Sequence, residues 1–89
     1  MKRTYLEVTF RKGKALAAYL HLPHPIGAKV ARSAPRERGL VVDFAADGQP
    51  IGVEITAPTL VDLETLNSLL HELHVHEVES ADLAPLRAA

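Results

Sequence analysis

The chain of 89 residues has no cysteine, no tryptophan, one methionine and only 4% aromatic residues. The missing cysteine excludes disulfides, cysteine-based zinc sites, thiol nucleophiles and iron–sulfur clusters together. Long apolar runs are missing too. The longest stretch without Asp, Glu, Lys or Arg runs from Ala15 to Ala28 and contains Pro23 and Pro25. It is shorter than the ~20 residues a membrane span needs. Met1, Lys2 and Arg3 mimic the start of a signal segment, but Glu7, Arg11 and Lys12 interrupt any apolar stretch behind them. The five glycines form neither a G-x-G-x-x-G turn nor a Walker loop, so nucleotide binding has no support. Ser33 and Ser68 lie in no G-x-S-x-G nucleophile motif. Together these features lead us to expect a cytoplasmic protein with no cofactor and no membrane attachment.

What is present is a chain that can fold. It is 47% hydrophobic with a net charge of −1, which argues against intrinsic disorder. The near-neutral total hides an asymmetry. Residues 1–38 hold nine basic residues against two acids, +7; residues 39–89 hold one basic residue against nine acids, −8. Such a split suggests halves that complement each other, self-association, or a nucleic-acid partner. The nucleic-acid reading would use Arg3, Arg11, Lys12, Lys14, Lys29 and Arg32. The basic half lacks the interleaved aromatics that base stacking uses, so this partner is not favoured.

Alternation of apolar and polar residues predicts strands. Leu6, Val8 and Phe10 share one face of the first. Leu16, Ala18, Leu20 and Leu22 share one face of the second, across a turn at Gly13. A weak, polar strand follows over Lys29–Ala34. Leu40, Val42 and Phe44 then face the core, and an Asp47-Gly48 turn leads to Ile51, Val53 and Ile55 on one face of the last strand. The period next changes to that of a helix, with Leu60, Leu63, Leu66, Leu69, Leu70 and Leu73 as its stripe and Thr59 with Asp62 as a capping pair. The expected fold is α+β: an antiparallel sheet of four to five strands with one C-terminal amphipathic helix packed on one face. Residues 1–76 form the single domain, and residues 77–89 a tail or short helical turn.

Two blocks carry a resemblance. Ala17-Ala18-Tyr19-Leu20-His21-Leu22 and Leu40-Val41-Val42-Asp43-Phe44 through Asp47-Gly48 to Gly52-Val53-Glu54-Ile55 resemble a family of short bacterial domains, domain-of-unknown-function family 2283. Its pattern is D-A-L-Y-I-x-L, then V-D-Y-D-x-x-G-x-V-x-G-I-E-I. Leu16 and Ala45 stand where that pattern has aspartates. The resemblance implies a small β-rich, self-associating domain with an antitoxin-like or regulatory accessory role and an unidentified protein partner.

Three sets of residues are candidates for function. Asp43, Glu54 and His21 all point away from the apolar strand faces and form a metal-binding or acid–base set if their strands are neighbours. His71, His74 and His76 gather near the helix end and are candidate metal ligands, although the spacing H-E-L-H is not H-E-x-x-H. Ala17, Tyr19, Val41, Leu60 and Val61 make a second apolar surface that a single helix cannot cover. That surface suggests a subunit interface. The expected function is a non-catalytic protein–protein interaction domain that forms a homodimer, with metal or acid–base catalysis and nucleic-acid binding as alternatives.

Overall fold

A computed structural model describes residues 3–87; Met1, Lys2 and the last two residues of the expected tail lie outside the described residues. Five strands form: β1 (Tyr5–Arg11), β2 (Lys14–His21), β3 (Arg32–Pro35), β4 (Leu40–Phe44) and β5 (Pro50–Ile55). They make one antiparallel sheet in the order β1-β2-β5-β4-β3. One helix, α1 (Leu63–Glu72), follows, and a 3-10 segment covers Ser80–Arg87. The chain is therefore α+β with an antiparallel sheet, and no helix among the described residues is long and apolar enough to cross a membrane.

Turn chemistry sets the register. Lys12 and Gly13 both have positive φ, 53° and 80°, which matches the right-handed twist of the β1–β2 hairpin. The β4–β5 turn closes through Ala45 and Gln49, and Asp47 Oδ1 accepts from the Gln49 N–H at 3.0 Å. Two bulges then re-aim side chains. Thr9 pairs with Ala17 but Phe10 with Ala15, so Leu16 is the extra residue on β2. Asp43 pairs with Gly52 but Phe44 with Pro50, so Ile51 is the extra residue on β5.

These bulges correct three expectations. Leu16 is 53% exposed and Phe10 46% exposed, so neither belongs to the core. Val53 and Ile55 join the buried cluster, whereas Ile51 lines a hollow with Tyr5, Tyr19 and His21 on the other face. Strict alternation fails where one strand carries an extra residue.

The helix also starts later than its leucine stripe suggested. Pro58–Leu60 is a 3-10 turn, and Asp62 is the N-cap, its Oδ1 accepting from the Thr65 N–H at 2.7 Å. Thr59 makes no cap. The helix ends at Glu72, and His74 then adopts a left-handed conformation at φ 60°. Leu66, Leu69 and Leu70 share the buried cluster with Leu20, Leu22, Val42, Val53 and Ile55.

The core does not stop at residue 76. Val78, Leu83 and Leu86 belong to the same cluster. Asn67 clamps Val78 in both directions: its Nδ2 donates to the Val78 carbonyl at 2.9 Å, and its Oδ1 accepts from the Val78 N–H at 2.8 Å. Arg87 donates to the carbonyls of Pro58 and Val61. The segment after His76 is the last layer over the sheet. Replacing Leu86 by alanine should cost about 2–5 kcal/mol, the range for a buried leucine. Urea unfolding measures this, and a loss under 0.5 kcal/mol on that scale (about the surface-site level) would show the segment to be peripheral.

Candidate functional site

The sheet face opposite this core carries the residues singled out for chemistry. Neighbouring positions across the strands are fixed by pairing. Asp43 on β4 lies opposite Ser33 on β3 and Gly52 on β5; Gly52 lies opposite His21 on β2; and Glu54 lies opposite Tyr19 and Val41.

Asp43 is 5% exposed, the one buried charged residue among those described. Burial of a carboxylate demands partners. It has them: the Tyr19 hydroxyl donates to Oδ2 at 2.8 Å, and the Ser33 hydroxyl donates to Oδ1 at 2.5 Å. Tyr19 reaches across a whole strand to do this. Its ring passes over Gly52, where any Cβ would stand 2.0 Å from the Tyr19 hydroxyl oxygen. Glycine is required here because the space is already occupied by the ring. Burial, then the hydrogen bond to Asp43 and the charges of Asp43 and Glu54, push the Tyr19 phenol well above its ordinary range.

Glu54 joins Asp43 and Tyr19. Partial burial comes first, and the charge of Asp43 second, in pushing the Glu54 carboxyl up from its ordinary value. His21 takes a different side. It pairs with Glu7 on β1, stacks on Tyr5 with ring centroids 4.2 Å apart, and meets Tyr19 edge-on at 4.7 Å. The expected set is thus split. Asp43 and Glu54 are brought together, while His21 lies two strands from Asp43, roughly 10 Å by strand spacing, and is held by Glu7.

The other candidates are dispersed. His71 is on α1, His74 at its left-handed exit and His76 beyond; all three are exposed. Among the described residues, no three His, Asp or Glu side chains come together as a metal ion would need. Of the expected interface, Ala17, Tyr19 and Val41 are half-buried on the outer sheet face and Leu60 is 55% exposed. Val61 is 1% exposed and part of the core, so it is unavailable to a partner; the 3-10 turn before it rotates it inward. The basic residues divide. Arg11, Lys12 and Lys14 lie at the β1–β2 turn, and Arg32 lies on β3 at the opposite edge, roughly 19 Å away across four strand spacings. One ion pair, Arg36 with Glu72 at 2.7 Å, joins the basic and acidic halves among the described residues.

Sequence reasoning missed Ser33 and the role of Gly52. The signal was present: a glycine on the polar face of a strand, two residues from Glu54, marks a place where something passes close above the backbone. Tyr19, Asp43, Gly52 and Glu54 meet here.

No protein-family model, no curated protein and no solved structure compared with this chain matches it.

Two outcomes are expected at this site. Gly52→Ala should destabilise the protein strongly when Tyr19 is present and much less in a Tyr19→Ala background. A double-mutant cycle reads the difference, and additive losses would refute the crossing of Tyr19 over Gly52. Glu54→Gln should change the pH dependence of stability. The folded Glu54 carboxyl titrates above its unfolded value, so its favourable contribution is full below about pH 4 and lost as pH rises through the folded value. The variant should match the native chain in acid and melt higher at neutral pH.

Proposed function

We propose that this protein is a non-catalytic interaction domain that works as a homodimer, joined through strand β1. The observation against catalysis is the state of Asp43: both of its oxygens already accept hydroxyl protons from the same sheet. A carboxylate that is 5% exposed and held by two hydroxyls ties strands together and turns little of its surface to a substrate or a metal. The covering of the inner face by α1 and the C-terminal segment leaves the outer sheet face and the sheet edges open, and of these the edges carry unpaired backbone groups.

The two edges differ. β3 has four residues and ends in Pro35, a device that blunts an edge. β1 has seven residues, no proline and exposed aromatics, Tyr5 at 40% and Phe10 at 46%. Leu16, also exposed, lies beside Phe10 at the bulge. Such an edge presents unpaired N–H and C=O groups to another strand.

A second copy of the chain fits it. An antiparallel β1–β1′ pair centred on Val8 places Leu6 opposite Phe10 of the other copy, Tyr5 opposite Arg11, and Glu7 opposite Thr9. The apolar pair falls on the inner face and the aromatic–guanidinium pair on the outer face, each favourable across strands. The antitoxin-like accessory role implied by the resemblance to family 2283 suits a domain that acts by contact.

Native mass spectrometry should show a dimer for the native chain and a monomer for Phe10→Glu, whose position is exposed and leaves the fold intact. Because the chain has no cysteine, register is also testable. A mixture of Glu7→Cys and Thr9→Cys chains should form a disulfide heterodimer faster than either alone forms a homodimer. A native chain that stays monomeric at high concentration overturns the proposal.

A further inference from the structure

At the end of the sheet away from the β1–β2 turn lies a groove of about 800 Å³, within the roughly 300–1,000 Å³ typical of small-ligand sites. Its lining has two parts. Phe44, Leu73 and Val75 give it an apolar floor, and Arg3, His74 and His76 stand around it.

The charge around it is one-sided. Glu72 is the sole acid of the lining, and its carboxylate is taken by Arg36 at 2.7 Å. Arg3 has no carboxylate partner among the described residues. A further cation lies next to the floor: the Arg32 guanidinium sits 4.1 Å over the Phe44 ring. The nearby Asp47 side chain faces its own turn, where it accepts from the Gln49 N–H. The bend that builds this end of the groove is deliberate in the backbone, since His74 takes a left-handed conformation to bring Val75 back toward the core. The Val75 N–H donates to the Leu70 carbonyl at 2.9 Å and fixes that return.

From this arrangement we infer that the groove binds a small anion with a flat apolar body, of the aryl carboxylate class. The apolar body lies on Phe44, Leu73 and Val75, and the carboxylate meets the Arg3 guanidinium, with His74 and His76 as further N–H donors. An apolar floor alone would favour any hydrophobic molecule; the one-sided charge selects an acid. This inference does not rest on dimer formation, because the groove lies on none of the positions assigned to β1 pairing.

The test uses the full chain with 2-naphthoate as probe and its neutral carboxamide as control, followed by amide NMR shifts. Saturable shifts at Gln49, His74, Val75 and His76 are expected, with the carboxamide binding about tenfold more weakly. Arg3→Gln should weaken 2-naphthoate by a similar factor and leave the carboxamide unchanged. Gln49→Trp, at an exposed position, should fill the groove and abolish binding while the melting temperature holds. Absence of saturation at millimolar probe overturns the inference. So do equal affinities for acid and amide, or shifts that collect on the outer sheet face.

Discussion

A phenol hydroxyl lying across a glycine to reach a buried carboxylate organises this sheet. Tyr19 on β2 and Ser33 on β3 both donate to Asp43 on β4, with β5 passing underneath at Gly52. Three strands are tied by hydrogen bonds to this one carboxylate, and a fourth, β5, must present Gly52 beneath them. A buried charge is a liability if any partner is lost, so the register of all four strands must be right before Asp43 is satisfied. The backbone ladders alone would tolerate a slip. The hydroxyl contacts do not, because a one-residue slip turns Tyr19 or Ser33 to the opposite face.

The same arrangement sends three acidic or basic groups on one face to different partners. Glu54 is drawn into the field of Asp43, and His21 is drawn outward by Glu7 between two tyrosine rings. Each is committed to a neighbour within the chain. The long β1 edge on one side and the cation-rimmed groove at the sheet end are not drawn into these pairings.

Much of this was legible in the sequence. Alternation placed all five strands in order, and the Asp47-Gly48 and Lys12-Gly13 turns marked both hairpins, because turn chemistry and period-2 burial are local properties. The errors arose where local rules meet tertiary structure. Leu16 read as core, and Ile51, which is buried, read as sharing a face with Val53 and Ile55, because nothing in their neighbourhood announces a bulge. Leu60 extended the leucine stripe one turn too far because Asp62 outcompetes Thr59 as a cap. Residues 77–87 looked like a tail because few apolar residues remain there; yet Val78, Leu83 and Leu86 are all buried, held by Asn67 and Arg87 from a distance in sequence. At the site, the pairing of Asp43 with Glu54 could be suspected from alternation. The split of His21 from them could not, since strand order is a non-local fact.

The late closing of the core has a consequence for how the chain is made. β1 and β2 are made before the residues that complete their hydrophobic cover, which include Leu83 and Leu86. A nascent chain emerging from the ribosome must keep its sheet half uncovered until these residues are free. Its long, sticky β1 edge is exposed throughout that interval, alongside neighbouring chains on the same messenger. Until that layer closes, the inner face of the sheet lacks part of its apolar cover.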